Sequence, residues 1–205
     1  MSASVRMPLD RHPAGLTWVA RDPLQRASHA LAAEGRVWLI DPVDDAEALE
    51  AVARLGRVEA VVQLLDRHPR DCATLAGRLG VPHLELPEAL PGTPFELFDV
   101  VALPVWRERA LWWPELRTLV VPESVGTHPV WAAGPPAAGV HPFRRLLPPR
   151  GLRDRRPEHL LVGHGPALHG DAAAAALRAA VGRSVVDLPR LALKLPQIVR
   201  SGRGL

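Results

Sequence analysis

A single cysteine, Cys72, and no tyrosine stand among the 205 residues. One cysteine forms no internal disulfide and builds no multi-cysteine zinc site, so any metal centre has to draw on histidine and carboxylate ligands. Long uncharged apolar runs are missing as well. None reaches the ~18 residues of a membrane span, and the opening MSASVRMPLDRHPAG has no secretory-type apolar stretch, so a cytoplasmic protein without a membrane span is expected. Lysine is nearly absent: Lys194 stands alone beside 24 arginines, against 22 acidic residues, for a net charge of +3. The densest arginine group, Arg144, Arg145, Arg150, Arg153, Arg155 and Arg156, falls in a proline-rich stretch. It forms no contiguous basic stripe interleaved with aromatics, so a nucleic-acid partner is not expected.

Core material is plentiful. At 47% hydrophobic residues, a chain of this length suits one domain spanning 1–205 that buries roughly 70% of the surface exposed when unfolded. Apolar runs and turn residues alternate in the manner of an α/β protein. Strands are predicted at Val37–Ile40 and Val58–Leu65, each followed by a helix, over Ala46–Leu55 behind an Asp44 or Asp45 cap and over Ala73–Leu79 closed by Gly80. A short extended segment follows Val81-Pro82. Asp99–Leu103, Ala110–Trp113 and Thr118–Val121 read as three more strands, the last two forming a hairpin in which Trp112 and Trp113 face opposite sides. Pro129 to Pro157 is a proline-rich irregular excursion, His159–Val162 a buried strand, and Asp171 the cap of an alanine-rich helix to Val181. Residues 183–205 form a C-terminal arm expected to pack on its own domain.

Four apolar runs end directly in a residue able to bind metal or move a proton: VWLI before Asp41, VVQLL before Asp66, TLVVP before Glu123 and HLLVG before His164. Strand ends in α/β sheets are where sites assemble, because the sheet holds the converging loops rigid. Asp also follows strands as an ordinary turn or cap residue. The four together suggest one shared pocket.

The succession of strand, acidic turn and helix, then a His/Asp-rich loop and a late Leu160-Leu161-Val162-Gly163-His164-Gly165 segment, resembles the metallo-β-lactamase superfamily over Gly15 to Val181. The second supporting segment is Val61 to Val81. The resemblance implies a four-layer αββα sandwich of two mixed sheets flanked by helices. It also implies a site at one sheet edge where one or two zinc or iron ions activate water for hydrolysis. The family's H-x-H-x-D-H loop corresponds to Asp66-Arg67-His68-Pro69-Arg70-Asp71, where only His68 keeps a family ligand. Starting the register at His68 instead places Arg70, Cys72 and Ala73 at ligand positions. No histidine lies near Pro104 to Glu108, where the next ligand is expected; the bridging Asp corresponds to Glu123 and the final His to His164.

A mononuclear set of Asp66, His68, Glu123 and His164 holding zinc, iron or manganese, with Asp71 as a base, is what the resemblance leaves of the metal chemistry. Arg70 argues against a cofactor, since a guanidinium is permanently charged and only donates. Placed at the site it repels a dication and can neutralise Asp66 and Glu123 by charge-assisted hydrogen bonds. The expected protein is therefore hydrolase-like with a degraded metal site and little or no metal-dependent hydrolysis. Its pocket, with Asp41, Arg70 and Trp106 on the wall, takes a small molecule or a partner that the sequence does not identify. Trp106 offers a stacking surface for an organic ligand. Ser28-His29 lacks an acid partner and a nucleophile elbow, and Cys72 four residues after His68 is expected to be an inert core thiol.

Overall fold

Apolar residues recurring at two strand faces and one helix face decide how the chain layers. A computed structural model of the chain describes residues 9–132, 138–190 and 193. The first sheet contains β1 (Asp10–His12), β2 (Gly15–Val19), β3 (Ala27–Ala33), β4 (Arg36–Ile40), β5 (Arg57–Gln63) and β6 (His83–Glu85), in that spatial order. Its first three joins are antiparallel. β4–β5 and β5–β6 are parallel and need crossovers, which α1 (Ala46–Ala53) and α2 (Cys72–Leu79) supply. Asp45 caps α1 through its carboxylate on the Ala48 amide at 2.9 Å, and Gly80 ends α2 in the left-handed conformation.

The second sheet runs β13-β12-β9-β8-β7, built from β7 (Glu96–Leu103), β8 (Trp106–Trp113), β9 (Thr118–Val121), β12 (His159–Val162) and β13 (Leu168–His169). β8 and β9 form the expected hairpin, while β9 and β12 run parallel with Val121 beside Val162. β10 (Val125–Gly126) and β11 (Gly139–Val140) make a two-stranded ribbon beside it.

Between the sheets lie Leu31, Trp38, Ile40, Val62, Leu64, Leu111, Val120 and Leu161, with Phe95 edge-on to Trp38 and Trp113. The outer face of the first sheet is covered by α1 and α2 through Val52, Cys72 and Leu75. That of the second is covered by α3 (Asp171–Arg183) through Ala173, Leu177 and Val181. Trp113 enters the middle layer and Trp112 packs outside, as the strand period requires.

Three sequence expectations need amendment. β1 to β3 precede the first predicted strand, and alanine-rich β3 (ASHALAA) has neither the alternation nor the branched residues that announce a strand. Asp171 is the first residue of α3 rather than its cap; Gly170 takes that position without a side-chain bond. The proline-rich excursion contains β11 and two short 3-10 turns, Pro142–Arg144 and Arg150–Leu152, although residues 133–137 lie outside the described part. It is anchored by Arg145, 1% exposed, which donates to the Trp131 carbonyl at 2.5 Å. Most of the C-terminal arm, from 191 onward apart from 193, also lies outside the described residues. No described helix is long and apolar enough to cross a membrane.

Candidate functional site

Parallel β9 and β12 end together, so the residues that follow them, Glu123 and His164, meet. Glu123 Oε2 lies 3.0 Å from His164 Nε2, and Glu123 Oε1 lies 3.2 Å from Nε2 of His141, which follows β11. All three side chains are largely buried, Glu123 at 3% exposure. His164 Nδ1 faces the Leu24 carbonyl at 3.0 Å. A carbonyl and an ionised carboxylate only accept, so each ring nitrogen of His164 faces an acceptor. At His141 one of the two partners is a donor. Its Nδ1 accepts from the Phe143 amide at 3.2 Å, which assigns the proton to Nε2 and the bond to Glu123. Burial alone raises the Glu123 pKa, but the hydrogen bonds from His141 and His164 outweigh it and hold the carboxyl well below the usual range.

Two further groups fix this acid. Trp131 stacks on His164 with centroids 4.4 Å apart and donates its indole N–H to the Glu123 carbonyl at 2.8 Å. Behind them Glu108, fully buried in β8, accepts from the Glu123 amide at 3.0 Å, the Ser124 amide at 2.8 Å and the Ser124 hydroxyl at 2.5 Å. Burial pushes the Glu108 pKa up to about 7 against those bonds.

Arg70 reaches the same strand ends, held with φ at +49°. Its Nη1 donates to the carbonyls of Ala27 and Asp41, the latter at 2.8 Å, and its Nη2 to that of Gly163 at 2.8 Å. The expected bonds to the carboxylates of Asp66 and Glu123 are not made. Asp66 accepts instead from the Arg107 amide at 2.9 Å, and the guanidinium binds three main-chain carbonyls at the strand ends. Arg70 nevertheless acts on Asp41 and Glu123 through its field. Buried Asp41, bonded to the Leu64 amide at 3.0 Å, has its pKa raised to about 6, burial outweighing the charge of Arg70.

The other candidates disperse. His68 is exposed and makes no hydrogen bond among the described residues, though it feels the charges of Glu123 and His164; burial of part of its ring lowers its pKa. Asp71 accepts from the Asp44 amide at 2.8 Å, away from Glu123. Trp106, 6% exposed, packs with Leu65 and Val101 and meets His141 edge-on at 5.0 Å. Cys72 is buried and its thiol pKa is raised, burial being the largest cause. Ser28 takes the Val43 amide and His29 bonds Thr17, so the two share no hydrogen bond. Sequence reading missed His141, Trp131 and Glu108. His141 does end an extended segment, but Gly139–Val140 is too short to register as an apolar run.

Two mixed sheets face to face, helices outside and a polar cluster at the strand ends define a four-layer αββα protein. The fold is that of the metallo-β-lactamases. DIM-1 metallo-β-lactamase matches 88% of this chain and 99% of its own, at 11% identity and a TM-score of 0.55. TTHA1623 in a di-iron-bound form matches 74% and 93%, at 19% and 0.52. The peroxy diiron species of the chemotaxis sensor ODP matches 84% and 94%, at 13% and 0.50. No family model and no curated protein sequence matches the chain.

A catalytic zinc-type site needs about three protein ligands with free lone pairs. His164 Nε2 and Glu123 come nearest to supplying two. The His141 nitrogen that faces Glu123 carries the ring proton, and Asp66 gives one oxygen to the Arg107 amide while its other is buried without a hydrogen-bond partner. Arg70 contributes donors only. Among the described residues no three His, Cys, Asp or Glu side chains come together as a metal site. The donors present do not fit a di-iron or zinc group.

Proposed function

We propose that this metallo-β-lactamase-fold, hydrolase-like protein has little or no metal-dependent hydrolysis, and that its remodelled strand-end pocket binds a small molecule or a partner. One observation carries the reading: Glu123 has committed both oxygens, one to the ring of His141 and one to that of His164. Glu123 is held ionised by its bonds from His141 and His164, and the field of Arg70 partly offsets the burial of Asp41. What remains is a rigid polar floor under Trp131 and beside Trp106, suited to holding a ligand rather than activating water.

The second reading is a mononuclear hydrolase of esters, thioesters or phosphoesters using Asp66, His68, Glu123 and His164 as ligands and Asp71 as base. Favouring it is the bond from His164 Nδ1–H to the Leu24 carbonyl, since metal-binding histidines usually donate their other N–H to such an acceptor. The two readings separate on protein purified without chelator. Elemental analysis after equilibration with zinc, iron or manganese is expected to give well under one ion per chain, and nitrophenyl ester and thioester hydrolysis to show no metal stimulation. Stoichiometric metal, with turnover abolished in His68→Ala and His164→Ala, overturns the proposal in favour of the hydrolase.

A further inference from the structure

Arg67 and Arg144 come from distant parts of the chain to one indole. Arg67 lies in the loop after β5 with its guanidinium carbon 4.6 Å from the centroid of Trp106. Arg144 ends the 3-10 turn Pro142–Arg144, and its guanidinium carbon lies 5.9 Å from the same ring. Neither makes an ion pair among the described residues. Asp66, next to Arg67 in sequence, is bonded to the Arg107 amide, and Glu123 is taken by His141 and His164. The Nε of Arg144 is moreover buried without a hydrogen-bond partner. Two like charges drawn to one ring repel each other, and neither lies within ion-pair distance of a carboxylate among the described residues; an anion placed between them removes the conflict.

The ground beside this pair is aromatic. Trp106 is buried and fixed, His141 meets it edge-on, and Phe143 packs edge-on against His141 at 5.4 Å while remaining 82% exposed. An exposed phenyl ring within two aromatic contacts of two uncompensated guanidinium groups suits a ligand with one anionic end and one flat apolar body. We infer that Arg67 and Arg144 clamp the anionic group of a small organic acid or phosphate ester whose apolar body lies against Phe143. This names the ligand class for the pocket of the proposed function and rests on that reading.

The probes are phenyl phosphate and benzoate, with inorganic phosphate and formate as the matching anions and phenol as the aromatic control, titrated calorimetrically into metal-free protein at low salt. Phenyl phosphate or benzoate is expected to bind at least tenfold more tightly than its matching anion or phenol, and the better of the two tells phosphate from carboxylate. Arg67→Gln and Arg144→Gln each weaken it at least tenfold with an unchanged melting temperature, Phe143→Ala brings it toward inorganic phosphate, and added salt weakens it. Equal binding by both arginine variants, or no binding of either anion at millimolar concentration with or without metal, overturns the clamp. Binding that requires added zinc or iron and still fails in the arginine variants keeps the clamp and overturns the metal-free reading instead.

Discussion

Glu123 and His164, 41 residues apart, meet at 3.0 Å because β9 and β12 run parallel and stop at the same level. Removing one partner of a buried ion pair leaves the other charge without compensation, at a typical loss of about 3–5 kcal/mol. His164→Ala should fall in that range by urea denaturation. Glu123→Gln should lose less, about 2 kcal/mol, since its amide still accepts from one ring and leaves no buried anion. A smaller loss for His164→Ala than for Glu123→Gln would contradict a buried Glu123 anion at the centre of the cluster.

Glu108 sets an alkaline liability. Its carboxyl keeps its proton to about pH 7 when folded, against 4.5 for the ordinary value. Its stabilisation is therefore full below pH 4.5 and lost as pH rises through 7, amounting at most to roughly 3 kcal/mol. Glu108→Gln should gain on the parent protein by up to that much between pH 4.5 and 7.5, measured as the difference of their unfolding free energies.

An opposite slope comes from a histidine cluster away from the candidate site. His159 and His169 bring their Nδ1 atoms to 2.8 Å, His169 Nε2 bonds Asp10 at 2.9 Å, and His12 stacks on His159 and bonds Thr17. Burial lowers the His12 pKa to about 4, outweighing the attraction of Asp10, with His169 and His159 adding to the fall. A group depressed in this way contributes stability above its unfolded value of 6.5 and loses it as pH falls through 4. His12→Asn should abolish an acid-side loss of about 2 kcal/mol, a figure reduced for the ring's partial exposure.

Arg70→Ala removes donors from three carbonyls and a positive charge from beside Asp41. A loss of about 3 kcal/mol is expected, read by chemical denaturation. Arg70→Lys should recover only part of it, because an ammonium on a flexible stem cannot reproduce a planar fork across Ala27, Asp41 and Gly163. Full recovery by lysine would show that charge alone matters.

Legibility followed the length of each signal. Thr118–Val121 and His159–Val162 were readable to the residue, because buried strands of branched residues between turn signals have few alternatives. The same signal found Glu123 and His164, each standing just past such a run. Arg70 was legible as a residue type but not by its partners, since main-chain carbonyls leave no mark in a sequence. His141 could not be read from pattern, because its position depends on a two-residue ribbon and on Pro142 opening the next turn. β1 to β3 were hidden for a related reason: their burial comes from pairing with later strands rather than from an apolar period of their own.

Each sheet is drawn from one half of the chain, and the bonds from Ala27 to Gly163, from Arg70 to Gly163 and from Gly165 to Gln25 stitch the halves at one edge. Whatever opens that edge also takes the pocket apart. A ligand seated there would act as a rivet, slowing the separation of two fragments cut in the loop between β6 and β7 and speeding their reunion.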